Sequence, residues 1–192
     1  MKRQITLIRH AKVDIENTQK IDAHSLQNWV KAYDTAPIDP ESLPTKETIA
    51  FTQNANVVVT STLSRASDSA KVLGLKIYEQ NRLFNEADIP EVNIPYLKLK
   101  PKSWLVILRL MLLLGLGKKD TSLKASKAQV KEAAKRLQEL STEYNHVVLV
   151  GHGGINWLIR QALMKEGWDL DGKGSHKNWG ATRLHKKENS IL

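Results

Sequence analysis

Three short apolar runs, each closing on basic or imidazole side chains, constrain the fold of this 192-residue chain more than any other feature. Ile5-Thr6-Leu7-Ile8 runs into Arg9-His10, and Val57-Val58-Val59 runs into Thr60-Ser61-Thr62-Leu63-Ser64-Arg65. Val147-Val148-Leu149-Val150 runs into Gly151-His152-Gly153-Gly154. Apolar runs of this length, bounded by polar residues, read as buried strands. Open α/β sheets hold their ligands at the carboxyl ends of such strands. Three such ends would gather His10, His152, Arg9 and Arg65. That is chemistry for a phosphoryl group.

The segments between the strands read as helices. Ser25, as N-cap, starts an amphipathic stretch to about Tyr33, with Leu26, Trp29, Val30 and Tyr33 at helical spacing. The rest of 12–50 reads as irregular, with Pro37, Pro40 and Pro44 marking a loop. Asn56 to Thr60 is a second strand, and Leu63 to Leu73 a helix that Gly74 terminates. Ile77 to Phe84 is a candidate third strand. Ser122 to Tyr144 is a helix with Val130, Ala134, Leu137 and Leu140 on one face, and Ile155 to Met164 another. Ala181 to Leu184 is a candidate last strand. Strands alternating with helices predict an α/β fold with a mostly parallel central sheet flanked by helices on both faces. The expectation is one domain over 1–192, with a helical cap or insertion around 87–120.

Composition narrows the function. Cysteine is absent, which excludes disulfides, thiolate metal sites and a thiol nucleophile. That suits a reducing cytoplasm, the expected compartment. The opening Met1-Lys2-Arg3 has the charge of a signal peptide, but Arg9 and His10 break the apolar run too early for one. The net charge of +9 is concentrated in the second half: residues 98–192 carry 18 Lys and Arg against 8 Asp and Glu. Such a surplus attracts phosphorylated ligands, nucleic acid or anionic membranes. The basic segments lack the interleaved aromatics of a single-strand binding platform, so nucleic acid is not expected as a partner.

Taken together, the three blocks carry a resemblance. Leu7-Ile8-Arg9-His10-Ala11-Lys12 resembles the Arg-His-Gly signature of the histidine phosphatase superfamily, the phosphoglycerate-mutase-like enzymes. Thr60-Ser61, Leu63, Arg65-Ala66 and Ser69-Ala70 resemble its second block, and Val150-Gly151-His152-Gly153-Gly154 its third. The resemblance spans roughly 4–160, with Ala181 to Leu184 similar to the closing strand. It implies a phosphoglycerate-mutase-like fold and metal-independent hydrolysis of a phosphomonoester through a phosphohistidine intermediate. His10 would be the nucleophile, and Arg9, Arg65 and His152 would bind the phosphoryl oxygens. A neutral imidazole suits that attack near pH 7, and neighbouring guanidiniums disfavour its protonated form. Arginine forks match the equatorial oxygens better than lysines would.

A leaving alkoxide also needs a proton. The resemblance places a carboxylic acid shortly after the third strand, and Glu86 occupies that place, with Asp88 as alternative and Glu91, or no dedicated acid at all, behind it. Ala11 stands where the signature usually has glycine, and would be strained if positive φ were required. The stretch after Glu86 lacks the Gly-rich acidic continuation of many sugar-phosphate members, and the chain is short for a mutase. No cofactor is implied. The six histidines (10, 24, 146, 152, 176 and 185) show no metal-binding spacing. Gly117-Lys118-Lys119 is no P-loop, because Leu112 and Lys119 break the pattern.

The apolar run from Trp104 to Leu116, interrupted by Arg109, is too short to span a bilayer. It reads as a buried or cap helix covering the pocket, with a homodimer contact or a peripheral membrane contact aided by Lys98, Lys100, Lys102, Lys118 and Lys119 as alternatives. His176, Lys177, Asn178 and Arg183 are candidate substrate contacts or solvated tail residues. Trp157, Trp168 and Trp179 read as packing residues. The substrate is expected to be a phosphorylated small molecule or a phosphoprotein. Competing functions are a protein phosphohistidine phosphatase, a phosphoglycerate-type mutase, and a non-catalytic module that binds anions or membranes.

Overall fold

Parallel pairing sets the architecture. The computed structural model describes residues 3–86, 92, 94, 96–113 and 120–186. Among these, β1 (Gln4–Arg9), β2 (Val57–Thr60), β3 (Glu79–Gln80), β4 (His146–Gly151), β5 (Trp168–Asp171) and β6 (Ala181–Lys186) form one sheet, ordered β3-β2-β4-β1-β6-β5. The pairs β1–β4, β4–β2 and β2–β3 are parallel, while β6 runs antiparallel to β1 and β5. The sheet is thus mostly parallel, as expected.

Helices cover both faces. On one face, α5 (Asp120–Tyr144) and α6 (Gly153–Lys165) bury Val130, Ala134, Leu137, Leu140, Ile155 and Ile159 against Ile5, Leu7, Val57, Val59, Val147 and Leu149. On the other, α3 (Ser64–Val72) sets Ala70 against Val58, Val148 and Val150, flanked by Phe51 of α2 (Lys46–Thr52). The period-2 alternation of each strand distributes its side chains between these cores. A third cluster lies apart: Ala23 and Leu26 of α1 (Ala23–Thr35) pack with Trp104 and Leu108 of α4 (Pro101–Leu113). The Trp104 indole donates to the Ile21 carbonyl at 2.8 Å, which ties α4 to the segment leading into α1.

Several expectations need correction. Asp22, not Ser25, caps α1, its carboxylate accepting from the Ser25 N–H. The region 12–50 is not irregular outside that helix, because α2 begins within it, at Lys46. Its buried positions are Thr48 and Thr52, so it shows no apolar stripe. The Thr48 hydroxyl instead donates to the Trp179 carbonyl. The third strand shrinks to Glu79–Gln80, because Asn81 caps a 3-10 turn, Arg82–Phe84, accepting from the Leu83 N–H. The edge strand β5 carried no prediction. Helix α3 ends in Val72, and Gly74 then takes a φ of +69°, as its stop signal implied.

Candidate active site

Register brings the motifs together. In the β1–β4 ladder Arg9 lies opposite Gly151, and in the β2–β4 ladder Thr60 lies opposite Val150. The three strands therefore end level, and His10, Ser61 and His152 follow at neighbouring ends. Both imidazoles are buried, with ring centroids 5.1 Å apart and planes tilted by 60°.

Backbone and guanidinium contacts fix both tautomers. The Ala11 carbonyl lies 2.6 Å from His10 Nδ1, and a carbonyl can only accept. Nδ1 therefore carries the proton, leaving a lone pair on Nε2. Burial and then the charges of Arg65 and Arg9 lower the His10 pKa to about 3, with Arg109 adding to the effect and the Ala11 carbonyl opposing it. In His152, Nδ1 accepts from Arg65 Nε at 3.3 Å, so Nε2 donates to the Ser61 hydroxyl at 2.7 Å. Burial, His10 and Arg65 hold His152 well below the ordinary imidazole range as well.

The arginines approach from different elements. Arg65, in the first turn of α3, is buried. Its Nη1 pairs with Asp34 of α1 at 2.8 Å, and its guanidinium lies 4.8 Å from the Tyr33 ring centre. Arg9 donates from Nη1 to the His176 carbonyl at 2.8 Å. Among the described residues, the buried Nε atoms of Arg9 and Arg109 find no acceptor. Unmet guanidinium N–H groups beside two neutral imidazoles make a site for an anion.

Glu86 comes to the head of α6. Its carboxylate accepts from the N–H groups of Gly154 and Ile155 at 3.1 and 2.9 Å, and from Arg109 Nη2 at 3.1 Å. The two N–H groups belong to the first turn of α6, where they have no acceptor within the helix. A Cβ on Gly154 would lie 2.5 Å from Glu86 Oε1, so this glycine makes room for the acid. Asp88, Glu91, Lys118 and Lys119 lie outside the described residues. Ala11 does not have positive φ, so the missing glycine causes no strain. Its N–H donates to Ser69 Oγ, itself bonded to the Arg65 carbonyl at 2.6 Å.

The tail candidates divide. Asn178 donates to the carbonyls of His10 and Ala11, both at 3.0 Å, and so holds the turn that carries His10. Arg183 pairs instead with Asp171. Trp168 and Trp179 are buried, whereas Trp157 is exposed rather than packed. Sequence reasoning missed Arg109 and Asp34 as parts of the site. A lone arginine in an otherwise apolar helix was the available signal for the first; Asp34 gave none. Among the described residues no group of three or more His, Asp or Glu could hold a metal ion.

Solved structures share this architecture. The mycobacterial glucosyl-3-phosphoglycerate phosphatase superposes with a TM-score of 0.55 at 17% identity, covering 96% of this chain and 91% of its own. The phosphoserine phosphatase of Entamoeba histolytica, in complex with 3-phosphoglyceric acid, gives 0.54 at 17% identity, covering 98% and 99%. The fold is phosphoglycerate-mutase-like. A mutant of the same amoebal enzyme, with one histidine replaced by alanine and phosphoserine bound, gives 0.52 at 17% identity, covering 94% and 89%. No family model matches the chain, and no curated protein matches it significantly.

Proposed function

We propose that this chain is a metal-independent phosphatase of the histidine phosphatase superfamily, hydrolysing a phosphomonoester through a phosphohistidine at His10. The observation that carries this reading is the Nδ1–H bond from His10 to the Ala11 carbonyl, which leaves Nε2 as a buried, neutral nucleophile among guanidiniums. The phosphatase activities named for the similarly folded mycobacterial and amoebal proteins support it.

In the first half-reaction His10 Nε2 forms a bond to phosphorus as the ester P–O bond breaks, and the leaving oxygen takes a proton from Glu86. Arg9 and Arg65 bind the equatorial oxygens and spread their charge, which is most of what phosphoryl transfer asks of a protein. Arg65 engages the phosphoryl group by exchanging acceptors, Asp34 and His152 Nδ1 being its present ones. With Arg65 turned away, His152 donates to an oxygen from Nδ1 in its other tautomer, Nε2 then accepting from the Ser61 hydroxyl. In the second half-reaction Glu86, an acceptor in the arrangement seen here, takes a proton from water as that water attacks phosphorus and N–P bond cleavage restores His10. Glu86 is thereby protonated again for the next ester.

The test is p-nitrophenyl phosphate hydrolysis with EDTA present, comparing wild type with His10→Ala. Turnover that survives EDTA and drops at least about 10³-fold in the variant is expected. Equal turnover in the two proteins would overturn the reading. Turnover confined to phosphohistidine peptides would move the substrate to a phosphoprotein, with the same nucleophile.

A further inference from the structure

Helix α4 has two faces with different fates. Trp104 and Leu108 are buried against α1, and Arg109 reaches Glu86. The opposite face exposes Val106 (56%), Ile107 (37%) and Leu110 (53%), and the segment before the helix adds Leu97 (38%) and a fully exposed Tyr96. Lys102 stands one turn ahead of Val106, and Lys98 and Lys100 are exposed just upstream. Residues 96–113 hold three lysines and one arginine but no aspartate or glutamate. An aliphatic face edged by lysines, with a tyrosine beside it, has the make-up of a surface that sits in the headgroup region of a membrane.

We propose that this face of α4 docks on an anionic lipid bilayer. Charge complementarity selects that occupant. A second copy of the chain, presenting the same face, would offer these lysines no carboxylate, because residues 96–113 hold none, whereas anionic headgroups attract each of them. The helix lies on the membrane rather than through it: its 13 residues span roughly 20 Å, short of a hydrocarbon core of about 30 Å. No helix among the described residues is long and apolar enough to cross. Docking leaves α1 and the sheet on the aqueous side, with Arg109 linking the membrane-facing helix to the pocket.

The experiment is flotation of the full chain with vesicles of equimolar phosphatidylglycerol and phosphatidylcholine, against vesicles of phosphatidylcholine alone. Binding to the anionic vesicles, weakened by added salt, is the expected result. Val106→Glu with Leu110→Glu should reduce it at least about tenfold, and Lys98→Glu or Lys102→Glu at least about fivefold each. Circular dichroism and p-nitrophenyl phosphate turnover should match wild type in all of them, since none of these residues lies in the pocket. Failure to bind, equal binding to both vesicle types, or binding unchanged in the variants would overturn the proposal. So would a dimer in sedimentation equilibrium that Val106→Glu disperses. Flotation needs no turnover, so its failure is separate from failure of the phosphatase reading.

Discussion

At Gly154 the constraint on one residue reaches directly into the chemistry. The Glu86 carboxylate occupies the space a side chain would take, while the Gly154 N–H supplies one of its hydrogen bonds. Gly154→Ala should therefore leave the fold intact, because the displaced atoms are the tip of a flexible side chain. On the mechanism proposed above, it should lower kcat on p-nitrophenyl phosphate about 10²-fold by moving the carboxyl group to which that mechanism assigns proton transfer. Steady-state kinetics with a matching circular dichroism spectrum checks this, and an unchanged kcat would contradict it. Gly151 is constrained differently: a Cβ there would meet Asn156 Oδ1 at 2.7 Å, while Asn156 Nδ2 donates to the Ile8 carbonyl at 3.0 Å. One glycine of the motif thus serves the site and another the joint between α6 and β1.

Among the elements, what the sequence made legible was whatever apolar patterning encodes. β1, β2 and β4 were readable because they are continuous apolar runs buried on both faces, and α5 because its buried positions recur at 3.6 residues. Helix α2 was not, since it buries threonines, and β3 was not, since side-chain capping by Asn81 competes with the strand. His10, Arg9, Arg65, Glu86 and His152 were singled out through their motifs, and the fold brings them near one another: the two imidazoles face each other, Arg65 bonds His152, and Arg9 and Glu86 lie against Gly153 and Gly154. Arg109 and Asp34 come from α4 and α1, outside the strand ends, and only packing of those helices reveals them. The stability of α5 follows from its apolar face: Leu137 is fully buried. Leu137→Ala should cost about 2–5 kcal/mol, read from the urea midpoint. A loss under about 1 kcal/mol would mean the core had closed over the missing side chain.

For the molecule as a whole, the neutral imidazoles make stability depend on pH. His10, His146 and His152 all have folded pKa values below the ordinary 6.5. Below about 6.5 the unfolded chain binds protons that the folded chain does not, so acid favours unfolding. The histidine contribution is full above 6.5 and declines as pH falls toward about 3, where His10 itself protonates. The urea midpoint should drop steadily from pH 7 to pH 4, and the drop should be smaller in His10→Ala. A flat midpoint would contradict the burial of neutral histidines. The sheet that buries these rings is also what levels the three strand ends, so one packing arrangement provides both the acid sensitivity and the pocket.

The most direct measurement is to trap the intermediate. The protein would be mixed with p-nitrophenyl phosphate, quenched in alkali (which preserves phosphohistidine), digested, and analysed by mass spectrometry. The account predicts a phosphoryl group on the His10 peptide, lost in mild acid and absent from His10→Ala. A phosphoryl group on another residue, or turnover that persists in His10→Ala, would contradict it.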